Sequence, residues 1–88
     1  MPQIELKVTH PTGLHARPAS VFVQKANQFK CEIVVTYGAR TVNAKSIIGI
    51  LSLGADQGAV IQITAEGEDA DDALLDIKTL VENNFSLG

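Results

Sequence analysis

The sequence predicts an α+β fold: an open-faced sandwich in which a four-stranded antiparallel sheet carries its helices on one face. Three observations point there. Four short segments alternate or run apolar in the manner of strands. Two longer segments repeat their apolar residues with helical period, each forming a single apolar stripe. The elements follow one another as βαββαβα, for which the economical arrangement is one sheet covered on one side.

Ile4, Leu6 and Val8 alternate with Glu5, Lys7 and Thr9, a half-buried first strand. His10-Pro11-Thr12-Gly13 breaks it as a loop. From about Ala16 the period changes. Ala19, Phe22, Val23 and Ala26 fall at i, i+3, i+4 and i+7, with Gln24, Lys25 and Asn27 facing away. Pro18 is tolerated only in the first turn of such a helix, which fixes its start near Ala16. Cys31 to Tyr37 is rich in Ile, Val and Thr and reads as a second strand. Tyr37-Gly38-Ala39-Arg40 is a hairpin turn, and Arg40 to Asn43 a short third strand. Ser46 is a good N-cap for a short helix from Ile47 to about Leu53, which Gly54 stops. Ala59 to Ala65 is a strongly apolar fourth strand. Glu66-Gly67-Glu68-Asp69 reads as a loop with a cap; the acidic run Glu66 to Asp72 is solvated, with Asp69 to Asp72 at most a weak cation binder. Ala70, Ala73, Leu74, Ile77, Leu80 and Val81 then form one continuous helical stripe. Asp69, Asp71 and Asp72 crowd its first turn, where negative charge suits the helix dipole.

The bulk numbers exclude several classes of function. The 88 residues make one domain, residues 1–88, with a modest core and no need of a disulfide or metal staple. Apolar residues are 45% and charged residues 19%, an ordinary globular composition. A net charge of −3 with scattered Lys and Arg gives no basic face for nucleic acid. One cysteine, Cys31, excludes an internal disulfide, fits a reducing compartment and reads as a small buried or edge hydrophobe. No basic-then-apolar leader and no bilayer-length apolar run occur, so a soluble cytoplasmic chain, taken as a monomer, is expected. Two histidines and one cysteine lack metal-ligand spacing, and no phosphate-cradling glycine loop is present, so neither metal nor cofactor is expected.

The chemistry concentrates at Gly13-Leu14-His15-Ala16-Arg17-Pro18-Ala19. An imidazole stands at the mouth of a helix, where unpaired N–H groups and a partial positive charge suit an anion such as phosphate. These would stabilise a phosphoryl group on the ring by roughly 0.3–2 kcal/mol. Arg17 is long enough to reach back to phosphoryl oxygens. Gly13 permits close backbone approach or positive φ, and Thr12 offers a hydroxyl. Spacing alone leaves two readings open: a phosphate-bearing histidine, or a surface cap followed by a solvated arginine. His10, the other histidine, precedes Pro11 in a loop, with no helix mouth and no arginine beside it in sequence.

Thr12-Gly13-Leu14-His15-Ala16-Arg17-Pro18-Ala19 resembles the active-site motif of the HPr family, the histidine-containing phosphocarriers of the bacterial phosphoenolpyruvate–sugar phosphotransferase system. A second stretch, Lys45-Ser46-Ile47-Ile48-Gly49-Ile50-Leu51-Ser52-Leu53-Gly54, is similar to the family's regulatory serine segment. The resemblance covers the whole chain in length and element order. It implies that His15 Nδ1 accepts phosphate from enzyme I and yields it to sugar-specific IIA domains, with Arg17 assisting. Thr12 stands where the family often has Ser or Asn, as a phosphate contact. It further implies regulatory phosphorylation of Ser46 by an HPr kinase/phosphorylase. A phosphoserine there adds about −1.5 to −2 charges. As a plain helix cap, Ser46 contributes roughly 1 kcal/mol. The family docks its partners through the residues matching Ala16, Ser20 and Gln24 together with the helix bearing Ile47, Ile48 and Leu51. An exposed apolar patch near a site has that meaning, although Ile47 and Ile50 also read as core. Such a protein is a carrier, not an enzyme that turns over. The alternatives are a regulatory or nitrogen-branch member of the same family acting mainly through partner binding. A small-ligand-binding domain or hydrolase is remote, because the sequence shows no nucleophile–base pair and no evident pocket.

Overall fold

Leu6 and Val8 are buried while Glu5 and Lys7 are exposed, so the alternation in the first strand reports which of its faces meets the core. That strand is β1 (Gln3–Lys7) in the computed structural model, which describes residues 2–85. It is followed by α1 (Ala16–Ala26), β2 (Glu32–Tyr37), β3 (Arg40–Asn43), α2 (Ile47–Ser52), β4 (Val60–Glu66) and α3 (Ala70–Glu82). The order is the expected βαββαβα. The strands form one antiparallel sheet in spatial order β1-β4-β2-β3, which leaves β1 and β3 at the edges.

Register aligns the apolar residues of neighbouring strands on one face. Leu6 pairs with Ile61, Ile4 with Ile63, Val35 with Ile63, and Ile33 with Ala65. All but Ile4 of these are buried. The opposite face carries Glu5, Gln62, Thr36 and Thr41 in one row, and the two threonine hydroxyls lie 2.9 Å apart. α3 lies against β1 and β4, and α1 against α3 and α2. The two long helices bury the stripes read from their periodicity. Ala19, Phe22 and Ala26 go inward from α1, and Ala70, Ala73, Leu74, Ile77, Leu80 and Val81 from α3. Val21 joins them, whereas Val23 is only half buried.

Four boundaries or roles differ from expectation. β2 begins at Glu32, because the Cys31 amide leaves the strand ladder and donates to the Asp69 carboxylate at 2.9 Å. β4 runs one residue later than predicted, so Val60 sits on the outer face. α2 ends at Ser52, with Leu53 as its cap and Gly54 at φ +67 just beyond. Ile50 is core, but Ile47 is 40% exposed and is not.

Asp69 occupies the N-cap position of α3 without capping it. Its side chain makes no bond to the helix and instead accepts the Lys30 and Cys31 amides, each at 2.9 Å. The Lys30 amide is the largest of the influences that hold the Asp69 carboxyl below the usual carboxylate range. Burial, followed by the Asp69 hydrogen bond and charge, pushes the Cys31 thiol up.

Candidate functional site

The site is built where β1 runs out into a loop and the loop is fastened to the segment before β4. Val8 is fully buried, donates to the Ala59 carbonyl at 2.8 Å and accepts from the Gly58 amide at 2.6 Å. The chain then turns: Gly13 N–H reaches the His10 carbonyl at 2.9 Å, and the Thr12 amide donates to His10 Nδ1 at 3.0 Å. Gly13 has φ +73, and a Cβ there would lie 2.7 Å from both the Ala55 oxygen and Asp56 Cα. Only glycine lets the two backbones come this close. Leu14, fully buried, donates its amide to Ala55 O at 2.8 Å. This anchor presents the next residue, His15, at the surface.

His15 is the N-cap residue of α1, with extended backbone and no side-chain bond to the helix. Its ring turns to Asp56, with Nε2 2.8 Å from Oδ1. The ring is 35% exposed and the carboxylate 81%. A carboxylate only accepts, so in the neutral ring Nε2 carries the hydrogen and Nδ1 keeps its lone pair. Among the described residues nothing engages Nδ1.

The helix mouth beside the ring offers two free amides. Ala16 and Arg17 N–H find no acceptor among the described residues, Pro18 has no N–H, and Ala19 N–H reaches His15 O at 3.5 Å. Ala16 has φ +51, a left-handed conformation that costs a non-glycine residue about 1–2 kcal/mol. No acidic residue sits in the first turn. Thr12 and Arg17 line a concave cavity of about 440 Å³ together with His10, Pro18 and Phe85. The end of α3 closes it. Phe85 N–H bonds Leu80 O at 2.8 Å and Asn84 N–H bonds Val81 O at 3.0 Å, with Asn84 at φ +54. This pair is a Schellman cap. It sets the Phe85 ring 6.0 Å from His10, edge to face, while Thr9 Oγ1 donates to Asn84 Oδ1 at 2.6 Å.

Of the residues singled out in the sequence, His15, Ala16, Arg17 and Thr12 thus lie around one helix mouth, and Ser20 and Gln24 are exposed further along α1. Ser46 caps α2, its Oγ accepting the Gly49 amide at 3.1 Å. Ile48 is 78% exposed, Leu51 is exposed, and Ile47 belongs with them. Sequence reasoning missed three participants: Asp56, Phe85, and His10 as a neighbour of Arg17 across the cavity. The only local signal for Asp56 was its place in a short Gly-flanked loop. Among the described residues, no group of three His, Cys, Asp or Glu side chains could hold a metal ion. Nor is any of their helices long and apolar enough to cross a membrane.

A family model described as PTS-HPr, the PTS HPr component phosphorylation site, matches residues 2–83. The chain belongs to the HPr family. A phosphocarrier protein HPr of Buchnera aphidicola subsp. Acyrthosiphon pisum (strain APS) is 47% identical over 72 residues, 82% of this chain and 85% of that protein. The crystal structure of HPr-C-His from Thermoanaerobacter tengcongensis matches with a TM-score of 0.95 at 45% identity, covering 97% of this chain and 96% of that one. An HPr dimer from the same organism matches with a TM-score of 0.79 at 44% identity, covering 98% and 99%. The four-stranded open sheet and the βαββαβα order are those of HPr structures, and the chain is a phosphocarrier of the phosphotransferase system by family.

Proposed function

We propose that His15 Nδ1 accepts a phosphoryl group from phosphorylated enzyme I and passes it to sugar-specific IIA domains, in the cytoplasm. One observation carries the reading: among the described residues the Nδ1 lone pair is unengaged and the two amides of the helix mouth are unpaired, while Nε2 is held by Asp56. The amides and the dipole of α1 favour a dianionic group at that spot. Arg17, which has no ion pair among the described residues, is free to reach it. Thr12 adds a hydroxyl at the rim. A few modest contacts suit a carrier, whose cargo must move on. The protein is then a substrate of one transferase and a donor to others, without turnover of its own.

Phosphorus NMR of the protein incubated with phosphoenolpyruvate and enzyme I tests this. A phosphoramidate signal that vanishes in His15→Ala is the expected result, and a labelled His15→Ala chain would refute it.

A second reading concerns Ser46. We infer that an HPr kinase/phosphorylase modifies it as a regulatory signal. The support is its position at the head of α2 beside exposed Ile47, Ile48 and Leu51. These three, with Ala16, Ser20 and Gln24, form the surface offered to partners. Kinase labelling that is lost in Ser46→Ala but kept in His15→Ala is expected. The chain is taken to act as a monomer, although a relative forms a dimer; sedimentation equilibrium checks it.

A further inference from the structure

We infer that Asp56 is a positioning residue for phosphoryl transfer: it fixes the hydrogen of His15 on Nε2, reserves Nδ1 for phosphorus, and faces the charge that develops on the ring. The inference rests on the carrier reading above and deepens it.

Two sets of contacts make this more than an incidental surface pair. The first is the 2.8 Å contact between His15 Nε2 and Asp56 Oδ1. The second is the way the two partners are brought together. The loop bearing Asp56 is sewn to the loop bearing His15 by Leu14 N–H to Ala55 O, Gly58 N–H to Val8 O and Val8 N–H to Ala59 O. Gln57 Nε2 adds a bond to Thr9 O at 3.3 Å. At Gly13 the backbones meet so closely that a single Cβ would not fit. Ala59 N–H bonds the Asp56 carbonyl at 3.0 Å and closes the turn from behind. Backbone therefore brings the two residues within reach of each other, and only side-chain rotation is left to complete the pair.

The chemistry follows from the hydrogen count. The Nδ1 lone pair attacks the phosphorus of a phosphoryl donor. An N–P bond forms as the donor's bond to phosphorus breaks, and that electron pair returns to the donor. No proton leaves His15. The ring, now substituted on both nitrogens, is cationic, and its Nε2–H points at the Asp56 carboxylate. In the onward step the N–P electron pair returns to Nδ1 as the acceptor attacks phosphorus, and Nε2 again keeps its hydrogen. A carboxylate at Nε2 favours the cationic ring in both directions, and that ring is the better leaving group. A carboxylate that orients an imidazole through one nitrogen and lets the other react is a recurring use of the pair. Here the reaction at the far nitrogen is with phosphorus.

The test uses the whole protein labelled with nitrogen-15, as wild type, Asp56→Ala and Asp56→Asn. Long-range proton–nitrogen spectra of the His15 ring report which nitrogen bears the hydrogen, independently of any transfer. The same proteins then receive phosphoenolpyruvate and enzyme I, and the initial rate of phosphohistidine formation is read. Asp56 is exposed, so the variants keep the fold, which a thermal melt verifies. In Asp56→Ala the Nδ1–H form gains population and the rate falls about fivefold, the scale of an exposed charge pair. In Asp56→Asn the amide oxygen still accepts, so the Nε2–H form persists and part of the rate returns. An Asp56→Ala protein with unchanged ring spectra, or with an unchanged rate, overturns the inference. If the wild type takes no phosphate on His15, the carrier reading and the rate role of Asp56 fall together, and the ring spectra still decide whether Asp56 sets the tautomer.

Discussion

Asp69 and Cys31 form a small electrostatic device away from the site, and pH can read it. The Lys30 amide leads the influences that hold the folded Asp69 carboxyl below its ordinary value of 3.8. A lowered folded value means that the unfolded chain takes up the proton first. The contribution of Asp69 is thus full above pH 3.8 and is lost as pH falls through the folded value. Cys31 works at the other end. Burial raises its thiol above 9.0, so the unfolded chain loses its proton first and stability declines as pH rises past that value. Urea midpoints measured across pH should show both limbs. Asp69→Asn flattens the acid limb and lowers stability near neutrality, because the Lys30 and Cys31 amides lose a charged acceptor. Cys31→Ala removes the alkaline limb. An acid limb unchanged in Asp69→Asn would contradict this assignment. The burial of Cys31 was legible in the sequence, but its pairing with Asp69 was not. A carboxylate just ahead of an apolar helical stripe reads as a cap, and only the folded chain shows it reaching the turn before β2, 38 residues away.

Elements were more legible than contacts. The stripes of α1 and α3, Pro18 in the first turn, and the Ser46 cap were all visible, because helical period and capping are local properties of the chain. Ile47 was ambiguous for a physical reason. α2 has six residues, fewer than two turns, and its inward direction is spent on Ile50. Ile47 shares that side but stands at the open end of the helix, where it is left 40% exposed. The Ser46 cap has a measurable consequence. Ser46→Ala leaves the Gly49 amide without its acceptor and should cost about 1 kcal/mol. On a domain of this size that lowers Tm by roughly 4–8 °C. Ser46→Asp keeps a capping oxygen and should melt close to wild type. Equal melting of Ser46→Ala and wild type would show that the bond contributes nothing to α2.

At the scale of the whole molecule, one hydrophobic core ties sheet, helices and site together. Phe22 on α1 is fully buried, and Phe22→Ala should cost about 3–5 kcal/mol by transfer and cavity terms. Set against the ~5–15 kcal/mol typical of a folded domain, that is enough to show as a large fall in the urea midpoint. A loss under about 1 kcal/mol would mean the core collapses around the vacancy. The site drew on the same long-range order, which is why only half of it could be read from the chain. His15, Arg17 and Thr12 lie within six consecutive residues, and their spacing alone pointed to a helix mouth. Asp56 stands 41 residues further on and Phe85 at the far end of α3, so fold closure alone brings them in.

That closure has a bearing on synthesis. The histidine emerges from the ribosome early, but the first strand has no hydrogen-bonding neighbour until residues 60–66 have been made. Gly58 and Ala59, which pin Val8, also come late. A nascent chain arrested before that point carries its imidazole in an unanchored loop, without its carboxylate companion. Synthesis through β4 is therefore what sets the imidazole in its anchored place beside Asp56.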